Sequence, residues 1–251
     1  MSEPIRIAMW SGPRNISTAM MRAFENRPDT SVVDEPFYAV YLNETNVDHP
    51  MREAVLASQS CDWQVVVADL LAPLPEGRIV HYQKHMTHHM LSGIGREWIE
   101  HVRSAFLIRA PEDVLLSYTE VLGSATLKEI GVPQQRELFD RECDRLGQAP
   151  AVIDAHDVLS DPRGVLTALC IALGIPFSER MLSWPAGRRA SDGVWAPAWY
   201  AAVERSTGFA PPRVQVRMSD LPDALKPIAE AARIDYEEMA RYRLRGAQRQ
   251  A

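Results

Sequence analysis

The sequence predicts an α/β fold, a single three-layer domain with a central, mainly parallel sheet and a P-loop-like turn after its first strand. Short apolar runs of strand type alternate with helical periodicity from the amino terminus onward, first at residues 5–10 and Ser17–Glu25. Breaker clusters of Ser, Gly, Pro and Asn separate such runs, and no repeat or linker composition cuts the chain, so residues 1–251 read as one domain. The 251 residues, 46% hydrophobic and 24% charged, suffice for a self-supporting core and do not match a disordered or fibrous composition.

Taken in order, Ile-Arg-Ile-Ala-Met-Trp at 5–10 is a strand, broken by Ser-Gly-Pro-Arg-Asn and followed by the helix Ser17–Glu25, which Asn26, Arg27 and Pro28 end. A short strand at 31–33 runs into Asp34, Glu35, Pro36 and Phe37, where the proline stops regular pairing and leaves two carboxylates at the strand's carboxyl end. The stretch 38–76 carries weaker signals, with helices expected at 51–58 and Trp63–Leu71. Strands follow at 78–82, leading into Gln83, Lys84, His85, Met86, Thr87, His88 and His89, and at 105–108, leading into Arg109. Pro111 opens a helix with Glu112 and Asp113 in its first turn and an apolar stripe of Val114, Leu115, Tyr118, Val121 and Leu122. A polar helix at 134–146, a strand at Ala151–Asp154 and a helix at 162–173 stopped by Gly174 come next. The remainder reads as a turn or two of helix at 176–184, an irregular loop at 185–198, a helical tail at 223–244 interrupted by Pro227, and a frayed end at 245–251.

A net charge of −6 argues against a broad phosphate-tracking surface, so no nucleic-acid partner is expected. Cys61, Cys143 and Cys170 are odd in number and far apart, which suggests neither a disulfide framework nor a zinc site and fits a reducing, cytoplasmic setting. The polar start of the chain does not resemble a signal peptide, and no run approaches the roughly 18 apolar residues of a membrane span. A soluble monomer or homodimer without membrane partners is the expectation.

The first strand-to-helix junction carries the strongest chemical signal. Ser11, Gly12, Pro13, Arg14, Asn15, Ile16, Ser17 and Thr18 bring free backbone N–H groups, a helix amino terminus and two hydroxyls to one spot, which suits a phosphate or sulfate. The second glycine and the lysine of a Walker A loop are missing, which counts against a kinase using ATP and magnesium. The alternative for the loop by itself is a plain turn whose Ser17 merely caps the helix. A similar junction recurs at the end of the strand 105–108, where Arg109 is followed two helical turns later by Ser117, and in a parallel sheet both junctions lie on the carboxyl edge.

With these two motifs the chain resembles the sulfotransferases that use 3′-phosphoadenosine 5′-phosphosulfate, PAPS. Ser-Gly-Pro-Arg-Asn-Ile-Ser-Thr is similar to that family's 5′-phosphosulfate loop, and the stretch from Arg109 to Tyr118 is similar to its 3′-phosphate motif, Arg-x-Pro-x-Asp-x-x-x-Ser. The resemblance implies that Gly12, Asn15, Ile16, Ser17 and Thr18 hold the 5′-phosphate, with Arg14 where the family often has lysine, and that Arg109 and Ser117 hold the 3′-phosphate. The loop containing Arg188, Arg189 and Gly193 resembles, more loosely, the family's basic loop that closes over the nucleotide. The segment from His156 to Pro162 matches a late acidic-leucine-Asp-Pro segment and reads as structural. The aromatic residue that stacks on adenine in cytosolic animal members is replaced by Ala19 and Met20, so stacking would fall to Trp195 or Trp199. The whole pattern is closest to a group of short bacterial proteins whose plant relatives carry aminotransferase-like names.

The implied reaction moves a sulfuryl group in line from PAPS to a hydroxyl, or less favourably an amine, of a small-molecule acceptor, leaving PAP. Two positions compete as the base. Glu35 resembles the glutamate base of bacterial and carbohydrate sulfotransferases, whereas Lys84 and His85 resemble the Lys-x-His region of cytosolic ones, with His88 and His89 equally close. Arg14 or Lys84 would stabilise charge on the bridging oxygen. His85 and His89 are four apart but lack a carboxylate companion, and no metal is expected. A non-catalytic nucleotide-binding protein on the same fold is the other alternative. Acceptor-lining segments are expected at 38–62 and 123–145, whereas Trp10, Met20, Met21 and Phe24 read as core.

Overall fold

The computed structural model describes residues 3–246. Strands β1 (Ile5–Ser11), β2 (Thr30–Asp34), β3 (Val80–Met86), β4 (Arg103–Ile108) and β5 (Ala151–Asp154) form one sheet in the order β2-β3-β1-β4-β5. The helices in chain order are α1 (Ser17–Glu25), α2 (Tyr38–Thr45), α3 (Arg52–Ser58), α4 (Trp63–Leu71), α5 (Pro111–Leu122) and α6 (Leu127–Ile130). They continue as α7 (Val132–Leu146), α8 (Ala155–Ser160), α9 (Pro162–Ala172), α10 (Ala196–Trp199), α11 (Ala201–Glu204) and α12 (Lys226–Ala240). β2 pairs parallel to β3 with Asp34 opposite Lys84, and β4 pairs parallel to β5 with Ile108 opposite Asp154. This is the α/β architecture that the alternation of strand and helix patterns predicts. Helices follow β1, β2 and β4 because parallel neighbours require a crossover, whereas β3 is followed by two 3-10 turns, Thr87–His89 and Glu97–His101. The central β1 is half-buried at Ile5 and Arg6 and buried from there on, Ile7, Ala8, Met9 and Trp10 being fully inaccessible, which explains its apolar run from Ile7 to Trp10. The chain goes to β2 and β3 on one side of β1 and to β4 and β5 on the other, so β1 lies at a topological switch point, where α/β sheets place ligands.

Two compact units are interleaved in the sequence. The first comprises the segments up to Met9, Thr18–Arg103 and Ser178–Phe209; the second comprises Trp10–Ser17, Ser104–Phe177 and the chain from Ala210. In the first, α2 and α3 pack with Trp195 and Tyr200 around Tyr38, Tyr41 and Leu42. Arg22 and Asp192 form an ion pair at 2.6 Å with both side chains fully buried, which anchors the 185–195 loop to α1. In the second, α12 lies against α5, α7 and β5, with Tyr236 Oη donating to Asp154 Oδ2 at 2.9 Å and Arg233 paired with Glu112. Helix signals hold where capping chemistry is explicit. Asp62 Oδ1 caps α4 by accepting from Gln64 N–H at 2.8 Å, Asp161 Oδ1 caps α9 from Gly164 N–H at 2.9 Å, and Pro111 occupies the first turn of α5.

Several sequence expectations change. β3 runs to Met86, so Gln83, Lys84 and His85 belong to the strand rather than to the run after it; all three are buried and partnered, which a hydropathy pattern does not register. The residues after Phe37 form α2, which has no side-chain cap to announce it. Pro227 sits in the first turn of α12 instead of interrupting a longer helix, and 176–184 contains one 3-10 turn, Glu179–Leu182. Trp195 is 2% exposed, its indole N–H bonded to Tyr200 Oη at 3.1 Å and its ring edge-on to Tyr38, so it is a core residue and unavailable for adenine stacking. Trp10, Met20, Met21 and Phe24 are core residues, as their spacing suggests. Cys61, Cys143 and Cys170 form no disulfide among the described residues. Of the frayed end expected at 245–251, residues 247–251 lie outside the described residues.

A Cβ at Gly12 would meet the Ile130 carbonyl oxygen at 2.5 Å, and a backbone atom cannot rotate away. Gly12→Ala is therefore expected to lower stability by about 1–3 kcal/mol, read as a fall in the urea midpoint at unchanged slope; an unchanged midpoint would show that the 126–131 turn yields freely.

Candidate active site

The turn after β1 belongs to the second unit and is strained in a definite way. Arg14 has φ 57° and Ile16 has φ 53°, both in the left-handed region, where a β-branched residue is a true outlier costing about 1–3 kcal/mol. Left-handed residues interleaved in a turn can direct backbone N–H groups toward an anion, and this turn leads into the positive end of α1. Surrounding bonds hold that shape. Asn15 Nδ2 donates to Leu107 O at 2.6 Å, Gln135 Nε2 donates to Trp10 O and to Leu107 O, each at 2.9 Å, and Arg109 Nη1 donates to Arg14 O at 2.7 Å. Arg14 Nε in turn donates to Ser117 Oγ at 2.9 Å. Arg14, Asn15, Arg109 and Ser117 are thus brought together although Arg14 lies 95 residues from Arg109 and 103 from Ser117. Burial, and then the charge of Arg109, push the Arg14 guanidinium below its ordinary pKa, while Glu120 opposes this. Two cations held close in a half-buried turn suit an anion. Ser17 is buried at the start of α1, and Thr18 follows it half-buried.

The first unit carries a second polar cluster. Lys84 is 1% exposed, and its ammonium donates to Asp34 Oδ1 at 2.8 Å, Glu35 Oε1 at 2.6 Å and Tyr200 Oη at 2.7 Å, which engages all three of its protons. The Tyr200 hydroxyl donates to Asp34, 2.7 Å from Oδ2, and Gly193 N–H donates to the same oxygen at 3.1 Å. Glu35 adopts φ 42°, another left-handed residue that is not glycine. One cation faces two carboxylates. Burial raises the Glu35 pKa above the carboxylate range, the charge of Lys84 opposes this, and Asp34 adds to it. Burial lowers the Lys84 pKa, but Asp34 and Glu35 outweigh it and hold the ammonium charged well above its ordinary value. Alternation along β3 sends His85 to the opposite face from Lys84. There it lies between Phe37 and Trp98, bonds Gln83 Oε1 at 3.2 Å, and is pushed down to about 3 by burial. His88 and His89 lie beyond the strand in a 3-10 turn, His89 stacked between Tyr38 and Tyr41 at 4.7 and 4.8 Å. Arg188 is exposed, and Arg189 is tied locally, its amide to Asp192 and its guanidinium to Pro185 O at 3.0 Å. Asp34 and Tyr200 were not singled out as site residues by the sequence; an acid beside a glutamate and a lone distant tyrosine carry no motif. Among the described residues no group of three or more His, Cys, Asp or Glu is placed to hold a metal, and no helix is long and apolar enough to cross a membrane.

A sulfotransferase-domain family model matches residues 5–236. The chain belongs to the sulfotransferase domain family. It is 40% identical over 213 residues to branched-chain-amino-acid aminotransferase-like protein 1 of Arabidopsis thaliana, covering 85% of this chain and 38% of that protein. Protein 2 of the same name and organism is 37% identical over 207 residues, covering 82% and 36%. The sulfotransferase domain therefore spans less than two fifths of the curated relatives it matches, and the shared name describes proteins far longer than the matched region. Among solved structures, a sulfotransferase from Alicyclobacillus acidocaldarius aligns with TM-score 0.56 and 13% identity over 97% of this chain and 98% of that one. The sulfotransferase domain of the Synechococcus PCC 7002 olefin synthase gives 0.54 and 16% over 92% and 95%, and that of the curacin biosynthetic pathway 0.52 and 18% over 92% and 98%. At such identities these structures establish the shared fold.

The histidines give the sulfotransferase domain a directional pH dependence. His85 and His88 are pushed to about 3 by burial, and His89 is lowered for the same reason. The unfolded chain takes up these protons below about 6.5 while the folded chain does not, so the stability is complete above that pH and is lost as pH falls toward 3. The urea-derived stability is expected to fall by about 1.4 kcal/mol per pH unit for each such histidine between pH 6 and 4. His88→Gln should flatten the slope by one histidine's share; an identical slope in that variant would mean His88 titrates equally in both states.

Proposed function

We propose that this domain transfers a sulfuryl group from PAPS to a hydroxyl of a small-molecule acceptor. The observation that carries the reading is the direct linkage of two motifs recognised separately in the sequence: Arg14 bonds Ser117, and Arg109 bonds the Arg14 carbonyl. A donor with phosphates at both the 5′ and 3′ positions requires two anion sites at one switch point, and the residues present fit that demand. The strained turn with the α1 amino terminus suits the 5′-phosphosulfate, and Arg109 with Ser117 suits the 3′-phosphate. PAPS supplies the activated sulfuryl group; the chain's residues bind, orient and move a proton.

Glu35 is the base in this proposal. Its Oε1 is fixed by Lys84, and its raised pKa strengthens it as a proton acceptor. His85 is the weaker candidate, being sealed between two aromatic rings with a pKa near 3. Because the Lys84 protons are all engaged, its role is exercised through Glu35, and Arg14 is the cation left to meet charge on the bridging oxygen. Asp192 holds the loop that carries Arg188, Arg189 and Gly193 through Arg22.

Calorimetric titration with PAP, 5′-AMP, ADP and ATP plus magnesium tests the donor. PAP is expected to bind at least about tenfold more tightly than the others, roughly 1.4 kcal/mol, and Arg109→Ala should remove that preference by losing both a charge-assisted bond and the Arg14 tether. Preference for ATP plus magnesium would overturn the proposal. Glu35→Gln should keep PAP affinity within about twofold while release of PAP from PAPS, followed over a panel of small phenols and alcohols, drops at least about tenfold. Wild-type activity should rise with pH through a midpoint above the ordinary carboxylate range, since the base must be ionised.

A further inference from the structure

The two carboxylates at the end of β2 are neighbours in sequence but are satisfied unequally. Asp34 accepts from Lys84 Nζ at 2.8 Å on Oδ1, from Tyr200 Oη at 2.7 Å on Oδ2, and from Gly193 N–H at 3.1 Å on Oδ2. Glu35 accepts from Lys84 at 2.6 Å on Oε1, and the Tyr200 hydroxyl, although its short bonds go to Asp34, also lies near enough to Glu35 to favour its ionised form. The Tyr200 hydroxyl produces the difference. It accepts from Lys84 at 2.7 Å and from Trp195 Nε1 at 3.1 Å, so its single proton is directed to Asp34, and both of its lone pairs are occupied. Tyr200 is itself 4% exposed, at the carboxyl end of α10, 116 residues from Lys84.

We propose that Tyr200 is a positioning residue for Glu35: by donating to Asp34 and accepting from Lys84, its hydroxyl keeps the ammonium between the two carboxylates, so that Asp34 remains a charged spectator and Glu35 is the carboxylate left to take a proton. The inference rests on the reading of Glu35 as the base. The physical argument is competition for one cation. With the hydroxyl removed, Asp34 retains only Lys84 and the Gly193 amide, draws the ammonium toward itself, and leaves Glu35 facing an uncompensated negative charge. Neutralising Asp34 instead gives the whole ammonium to Glu35. The other groups around the cluster are Tyr82 on β3, which faces Lys84 and Asp34, Arg22 of α1, which faces Asp34 and is itself neutralised by Asp192, and His89, which faces Lys84. None of these distinguishes one carboxylate from the other as the Tyr200 hydroxyl does.

Carboxyl-carbon NMR titration of the full chain, labelled at glutamate, measures the result directly, with the Glu35 resonance assigned by its loss in Glu35→Gln. Tyr200→Phe is expected to move the Glu35 midpoint alkaline by about one pH unit, a tenfold loss of ionised form below the midpoint, and Asp34→Asn is expected to move it acid. Opposite signs in two variants that melt cooperatively would not follow from general loosening of the fold. A Glu35 midpoint unmoved in Tyr200→Phe, or moved the same way in both, would overturn the inference. If Tyr200→Phe does not fold, Asp34→Asn decides it alone: an acid shift supports the competition for Lys84, and no shift or an alkaline one rejects it. The titration does not depend on turnover. Failure of PAP to bind would therefore remove the donor reading while leaving this result standing, and full activity in Glu35→Gln would remove the base assignment separately.

Discussion

A single ammonium group buried between two carboxylates organises the polar interior of the first unit. Lys84 stands on a central region of the sheet, where an unpaired charge would be intolerable, and its three protons are distributed over Asp34, Glu35 and Tyr200. Removing one partner of such a buried pair costs about 3–5 kcal/mol because the other is left uncompensated. The consequence reaches well beyond the lysine. It brings β2, β3 and the residues after α10 to one point, and it draws in the loop before α10 through the Gly193 amide. The same loop is held again by the fully buried Arg22–Asp192 pair, so a segment that is irregular in conformation is fixed by charge.

The second unit solves a different problem with the same means. The turn after β1 is not relaxed backbone, since Arg14 and Ile16 adopt left-handed conformations in it. That strain is sustained by bonds from Asn15, Gln135 and Arg109 to carbonyl oxygens in or beside the turn. Arg109 therefore acts twice, as a cation near Arg14 and as a support for the turn that carries Arg14. Glu35 is also left-handed, so strained backbone occurs in both motifs to which chemistry is assigned and in neither case at a glycine.

These arrangements explain why the family relationship and the local chemistry converge. Sulfuryl transfer asks the protein for positioned cations, positioned amides and one base, with little covalent work of its own. The resemblance in fold to other sulfotransferase domains extends over nearly the whole chain at low identity, so the fold is shared where the sequence is not.

The alternation of elements and the position of the two strand-to-helix junctions are legible in the sequence, because caps, breakers and apolar periodicity act over a few residues. Ser17–Glu25, Trp63–Leu71 and Ala151–Asp154 fall where local rules put them. Only the tertiary structure decided the length of β3, the burial of Trp195 and the identity of the groups around Glu35. Gln83, Lys84 and His85 look like a polar loop until their distant partners are known, and Tyr200 gains its meaning from a lysine 116 residues away. Local propensity reports what a residue does to its own backbone. A buried charge is satisfied by whichever donors the fold delivers to it, and that delivery is settled by the order of strands and the packing of loops.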